Sequence, residues 1–543
     1  MRSNILYSFR ALALLLTIFS LLLIHSCKKG TEILPPGESP ITPPAIQGLA
    51  KLFTDSISGL SNFSVTFRGK ILEQGSSAVT ESGMVVDTVP GATTVKNLNK
   101  FKATPDASGQ MKVIVTYVPE GTTYYMRTYA INSAGTAYGN EVVFRSPDGK
   151  STLETFEIKT QEQLIALGAK HYTSLQSLRI GGTVNDLSPL KDLTFVTGGM
   201  EISGTTLLKD LTGLEHLEMV GTYFPNSLRL EGNRALRSLK GLNKLKTVRG
   251  YFYILGNPLI TDLKGLDNYT MTSLGEFRVD RCSSLRSLDG IESMLYCYDG
   301  LAIMNNPVLN DIKALRNLKG TTQILIGANN MLTNLDGLEG LTQVGIGELE
   351  YASITLQGNP LLTNIEGLAN IKKCGNLNID GNASLKSLRG LNGLVDLNYV
   401  TIVNNGSLTD FKGLSGLKTV RNNLKIWENH QLVNMDGLQQ LEKVGRLDIV
   451  LNKGIRDLSG LDGLKFVNGP NGYAITISHN ESLLSLHGLE QLSSSTEGIQ
   501  IMYNKNLADF CPLKLLMSGY KSYFSALDNK IKMDPQILQS SCK

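Results

Sequence analysis

The sequence predicts a mainly β chain: a right-handed parallel β solenoid of about 14 coils, preceded by a small β-sandwich. Three observations lead there. A Leu-x-Gly-Leu unit recurs from residue 187 onward, a second motif ending in Asn recurs at the same spacing, and the region before them alternates apolar and polar residues in short runs. With 543 residues the chain is too long for one ordinary core, so several domains or a repeat array are needed. Its 54 glycines and few aromatics suit many short strands and turns.

Residues 1–26 read as a signal peptide. Arg2 and Arg10 precede an apolar run from Ala11 to Ile24, broken only by Thr17 and Ser20. Such a run rises roughly 21 Å as a helix, short of the roughly 30 Å hydrocarbon core, so it is an export signal and not a span. The junction Leu23-Ile24-His25-Ser26-Cys27 resembles the lipobox of bacterial lipoproteins, with an aliphatic residue, a small residue and then Cys. The resemblance implies that Cys27 is acylated and becomes the first residue of the mature chain. An ordinary signal peptide with a Cys nearby is the alternative. Residues 27–45 contain Pro35, Pro36, Pro40, Pro43 and Pro44 and read as an extended tether.

Residues 46–147 carry the alternating runs, as in Met111-Lys-Val113-Ile-Val115, punctuated by Gly and Asn in the manner of a β-sandwich. The stretch from Pro119 to Gly135 resembles the end of a fibronectin type III-like module. A turn leads to a corner tyrosine, Tyr124, then an alternating strand, and then the Asn132-Ser-Ala-Gly135 turn. The resemblance implies a spacer.

Residues 175–513 hold the repeat. The Leu-x-Gly-Leu unit and its variants occur in 14 copies from Leu187 to Phe510, a mean spacing of about 25 residues. The second motif is apolar-x-apolar-x-x-Asn. Its last position is Asn233, Asn257, Cys282, Asn306, Asn329, Asn359, Asn382, Asn405, Asn429, Asn452, Asn480 and Asn504, with Thr183 and Thr205 in the first two copies. The triplet is a short strand pointing two side chains inward, and stacked copies pair into a parallel sheet. An Asn at each bend can bond buried backbone groups that the turn leaves unpaired. The combined pattern resembles the receptor L-domain branch of leucine-rich repeats. Gly-Leu-x-x-Leu is too short for the helix that other branches carry, which implies a mostly β solenoid.

The ends need caps, because an open sheet edge invites pairing with other chains. In residues 153–174, Thr160-Gln-Glu-Gln163 is a capping box ahead of Leu164, Ile165 and Leu167, predicting a short helix over the first coil. Residues 514–543 form the C-terminal cap. In an exported protein a Cys511–Cys542 bridge would close it over the last coil, and two buried thiols are the alternative. Cys297 and Cys374 fall near apolar positions of their coils and read as core.

Chemistry is sparse. No His pair has metal-ligand spacing, and there is no C-x-x-C, G-x-S-x-G or D-x-D-x-D-G motif, so no catalytic residue, metal or cofactor is expected. The charge balance of 52 Lys+Arg against 48 Asp+Glu gives no electrostatic basis for a nucleic-acid partner.

Binding residues are easier to place. Val403, Trp427 and Val450 follow the second apolar residue in three successive strands, beside Thr401, Lys425 and Asp448. Adjacent strands lie about 4.8 Å apart, so these make one outward patch around the chain's only Trp. Three coils are longer than the rest, and their insertions carry Tyr223 and Phe224, Tyr351, and Tyr473 on one edge. The sequence therefore reads as a non-catalytic binding module, exported and lipid-anchored at the outer membrane. The cell surface is the expected location, with the periplasmic face as the alternative. Protein recognition or adhesion is the leading function, and glycan capture or a purely structural envelope role are the alternatives.

Overall fold

A computed structural model describes residues 48–542 apart from 59, 61–63, 117, 120, 223–225, 273–274, 346–351 and 470–472. The signal peptide, Cys27 and the tether lie outside the described residues. The fold is mainly β, with a parallel β-solenoid of about 15 turns preceded by small antiparallel sheets.

The N-terminal region has a three-stranded and a five-stranded antiparallel sheet. Alternation along Ser64–Glu73, Glu81–Asp87, Gln110–Thr116 and Thr123–Asn132 sends one side of each inward. Val65, Phe67, Met84, Val86, Met111, Met126 and Phe144, drawn from both sheets, make a single buried cluster. Tyr124 joins it, its ring stacked on Phe144 at 5.2 Å. Asn132 closes the Asn132–Gly135 turn by accepting the Ala134 N–H at 2.9 Å. The strand after that turn, Gly135–Tyr138, is not the final one: Val142–Arg145 follows and pairs with the other half of Thr123–Asn132.

In the solenoid the apolar-x-apolar triplets form one continuous parallel sheet from Thr155–Ile158 to Phe524–Ser525. Inward pairs such as Leu228 and Leu230, or Leu377 and Ile379, are buried in one core running the length of the stack. A second sheet of two-residue strands, from Ser174–Leu175 to Gly320–Thr321, lines a neighbouring face. Helix accounts for 8% of the structure against 34% strand, so no layer of helices covers the stack.

Two rails set the spacing of the coils. The first is the Asn position. Asn405 Oδ1 accepts the backbone N–H of Asn382 at 3.1 Å, and its Nδ2 donates to the carbonyls of Ile379 and Val403, both at 2.9 Å. The same pattern repeats between Asn429 and Asn405 and between Asn452 and Asn429, with every ladder Asn fully buried. Each side chain thereby satisfies a donor and an acceptor that the bend would otherwise leave unpaired.

The second rail is the glycine of Leu-x-Gly-Leu. Gly437 has φ +111°, and a Cβ there would lie 2.1 Å from the carbonyl carbon of Phe411 in the preceding coil. The residue two places later accepts the glycine's N–H, as Gln439 does for Gly437 at 2.9 Å and Glu490 for Gly488 at 2.8 Å. Where Pro189, Ala314 or Pro512 replaces the glycine, the corner is a short 3₁₀ turn that tolerates a Cβ.

A third regularity precedes each ladder residue. That residue is left-handed in every coil, from Gly182 at φ +61° to Asp528 at +54°. Glycine fills it in the first four coils, but Glu428, Leu451, His479 and Tyr503 hold it later. For such residues the conformation costs about 1–2 kcal/mol each.

The ends carry the expected cap helix and disulfide, together with strands beyond the marked coils. The helix Gln161–Gly168 is capped by Thr160 with a full capping box and buries Leu164 and Leu167. Ile165 points outward and is 55% exposed, because a helix of about two turns presents one apolar stripe, here that of Leu164 and Leu167. The strand Thr155–Ile158 pairs with Ser177–Ile180 ahead of the first marked coil. Thr183 is exposed and donates to Lys159, so the ladder begins at Thr205, whose N–H bonds Asn233 Oδ1 at 3.1 Å. At the far end Asn529 adds a rung by accepting the Asn504 N–H at 3.0 Å. These extra rungs take the stack from 14 marked coils to about 15 turns. Cys511 and Cys542 form a disulfide, while Cys282, Cys297 and Cys374 are buried free thiols.

Replacing a ladder residue in mid-stack leaves buried donors and acceptors unpaired. Asn405→Ala should lower unfolding stability by about 3 kcal/mol. Denaturant titration with intrinsic fluorescence measures this, and an unchanged midpoint would show the ladder to be incidental.

Candidate functional site

The strands that carry Trp427 and its neighbours are the longest in the solenoid. Asp396–Val403, Thr419–Trp427 and Lys443–Val450 span 8, 9 and 8 residues. In most other coils a corner separates the two-residue strand from the main one. Here the two run together through irregularities between Leu397/Tyr399 and Val420/Asn423. The outer face is therefore widest across these three coils.

Register places the predicted patch residues side by side. Thr401 pairs with Lys425 and Lys425 with Asp448, while Val403 pairs with Trp427 and Trp427 with Val450. Their exposure is uneven. Thr401, Val403, Lys425 and Trp427 are half-buried, but Asp448 is 3% exposed and Val450 8%. The expected open patch is therefore partly closed over, because neighbouring side chains pack laterally on a sheet. Arg446 Nε donates to both Asp448 oxygens at 2.9 Å, and Asn423 Nδ2 donates to Oδ2 at 3.1 Å, roofing the carboxylate.

The Lys425 ammonium lies 3.8 Å from the centre of the Trp427 ring, a cation–π contact. Among the described residues it has no carboxylate within salt-bridge distance. Three buried polar atoms in this neighbourhood lack a hydrogen-bond partner among the described residues: Trp427 Nε1, Asn423 Oδ1 and Thr476 Oγ1. Thr476 pairs with Asp448 on the intervening strand, so the three lie within three successive coils, with Thr476 two coils from the other two. An unsatisfied buried group costs about 1–3 kcal/mol, which makes this cluster an outlier in a chain whose ladder is otherwise fully bonded.

The edge residues are less well placed. Tyr223, Phe224 and Tyr351 lie outside the described residues. Tyr473 opens the strand Tyr473–Ser478, two coils from Trp427.

Sequence reasoning passed over the N-terminal half of the same face. There Tyr251 stacks on Tyr253 at 5.3 Å, Arg229 pairs with Glu231, and Arg278 pairs with Asp280 at 3.3 Å. Burial holds the Glu276 carboxyl above the usual carboxylate range. The alternation Glu157, Arg179, Glu201, Arg229 in register across four strands was the available signal.

A cleft of about 480 Å³ lies at the glycine corners between Lys240, Asn243, Lys264, Asp267, Asp289 and Glu292. Its Asn243, Asp267 and Glu292 accept glycine N–H groups, so its polar atoms belong to the corner rail. Burial pushes the Cys282 thiol up to about 11 and Cys374 up to about 12, so neither is a nucleophile at neutral pH. Among the described residues no cluster of His, Cys, Asp or Glu could hold a metal ion. None of their helices is long and apolar enough to cross a membrane. The chain matches no known protein family, and no curated protein is similar to it.

The Asp448 carboxylate organises the patch from beneath. Asp448→Ala should reduce stability by about 2 kcal/mol by stranding Arg446 and Asn423. It should also raise iodide quenching of the single Trp by loosening its surroundings. Equal quenching in both proteins would show that Asp448 does not support the ring.

Proposed function

We propose that this chain is an exported lipoprotein, anchored through Cys27, whose solenoid is a non-catalytic binding module for a protein partner at the cell surface. In this reading the N-terminal sheets are a fibronectin type III-like spacer. The solenoid is an L-domain-like leucine-rich repeat that presents its outer face for recognition or adhesion.

One observation carries the binding reading. The chain's only Trp lies on the widest part of the outer face, under an ammonium group with no ionic partner among the described residues. Trp is enriched at the centres of interfaces, where a few residues supply most of the binding energy. A ring already half-buried loses little freedom on binding, which favours affinity.

Glycan capture is the second reading, favoured by the half-buried Trp427 ring on the outer face. Sugar rings stack on indole faces, and their hydroxyls both donate to and accept from neighbouring polar groups.

Trp427→Ala, compared with the parent chain in a protein pull-down and on a glycan array, separates the readings. Loss of a protein partner alone supports recognition, and loss of sugar retention alone supports glycan capture. Unchanged binding in both assays rejects the Trp-centred site, and no ligand in either leaves a structural envelope role.

The anchor has its own test. Cys27→Ser should move the protein out of the membrane fraction, and protease treatment of intact cells should degrade the parent. Continued membrane association of the variant would refute lipidation at Cys27, and protease resistance would place the parent on the periplasmic face.

A further inference from the structure

The left-handed residue before each ladder position provides an internal control. Glycine holds it in six of the earlier coils, at Gly182, Gly204, Gly232, Gly256, Gly358 and Gly381, with Arg281, Asn305 and Ala328 in the three between, so building a coil does not require a particular side chain there. Yet in the last six coils the position is never glycine: Asn404, Glu428, Leu451, His479, Tyr503 and Asp528 follow one another without interruption. Asn, Asp and His tolerate this conformation, but Glu, Leu and Tyr do so poorly. Strain held at successive positions is tolerated where the side chains themselves are needed.

The row is contiguous. The N–H of Asn404 donates to the Trp427 carbonyl, that of Glu428 to Val450, that of Leu451 to Ser478 and that of His479 to Met502, at 2.9 to 3.2 Å. Adjacent members therefore lie one strand apart, and six of them span about 24 Å. The His479 ring stacks on Tyr503 at 4.8 Å, and Tyr503 remains 45% exposed. Beside the row runs the column Val403, Trp427, Val450, Ser478, Met502, each residue immediately preceding its row neighbour in the chain.

We propose that this row and the Trp427 column form one strip that receives an extended polypeptide segment of another protein. The segment would carry an apolar side chain between an acidic and a basic residue. Charge supports that occupant. Lys425 and Glu428 flank Trp427, are of opposite sign, and have no ion-pair partner among the described residues. A neutral sugar offers no charge to either Lys425 or Glu428, an acidic sugar is repelled by Glu428, and a strip without net positive charge has no attraction for an anionic lipid surface. Leu451, Val403 and Met502 offer aliphatic contacts suited to an apolar side chain.

The inference rests on the protein-recognition reading and is tested apart from it by panning the full chain against a displayed library of random twelve-residue peptides. Enriched peptides should share an apolar residue flanked by one acidic and one basic residue. They should bind the L451G/H479G/Y503G variant at least tenfold more weakly, while that variant unfolds at the same or a higher temperature than the parent. E428K should weaken the same peptides and be rescued by exchanging their basic residue for an acidic one. A lower unfolding temperature in the triple variant would show that the side chains serve packing, and would overturn the strip. Peptides lost on Trp427→Ala but bound undiminished by the triple variant would overturn the strip while leaving the Trp-centred reading intact. If no peptide is enriched the strip also falls, and the pull-down alone then decides the broader reading.

Discussion

Every coil of this solenoid turns a corner packed against its neighbour, where the ladder residue is buried, so the backbone at that corner must find partners inside the protein. The buried Asn meets that constraint, and the rest of the stack follows from it. A short amide offers an acceptor and two donors from one Cβ. It can take the preceding coil's N–H while donating to that coil's strand carbonyl, as Asn405 does with Asn382 and Ile379. Such a bond pattern closes only if successive coils are in register. The ladder therefore fixes the strand pairing, and strand pairing fixes where each outward side chain sits. Thr205 begins the ladder with a hydroxyl that bonds Asn233 at 2.7 Å. Cys282 interrupts it, since its sulfur reaches the Ile254 and Asp280 carbonyls only at 3.8 and 3.7 Å.

The glycine corner does the same work on another side of the coil by a different means. There the neighbouring backbone comes so close that a Cβ is excluded, and an acidic or amide side chain two residues later takes the N–H. With two rails settled by local chemistry and the inward residues settled by the core, the outer face is left free to vary without threatening the fold. Binding surfaces on repeat proteins arise from this division.

Much of this was legible because it repeats. Period, strand, Asn position and core could each be read from many copies, and Thr160 with Gln163 announced the first helix. What could not be read is what occurs once or is set by neighbours. Asn529 follows the triplet Phe524-Ser-Ala526, which fits the motif but lies past the last Leu-x-Gly-Leu unit, and Thr155–Ile158 precedes the first one, so neither was counted. The burial of Asp448 depends on Arg446 and on Asn423 from the adjacent coil, a lateral contact that spacing along one chain does not reveal. The joined strands at Asp396–Val403, Thr419–Trp427 and Lys443–Val450 reflect a missing corner, and the repeat marks what is present rather than what is absent. The left-handed row was hidden for a similar reason: in six of the coils its residue is glycine, which reads as an ordinary turn.

The two halves of the outer face differ in how far their polar groups are already satisfied, and this bears on where a partner would land. Toward the N-terminus, Arg229 is held by Glu231, Arg278 by Asp280, and Tyr251 by Tyr253. A partner there would have to break internal pairs before making its own, and the exchange would yield little net affinity. Toward the C-terminus the ammonium of Lys425 rests on the Trp427 ring, and neither it nor Glu428 has an ion pair among the described residues. Contacts formed there add to the total instead of replacing existing ones. The C-terminal half thus joins an uninterrupted run of left-handed side chains to an ammonium with no ion pair among the described residues, and a contact made there would displace the fewest internal bonds.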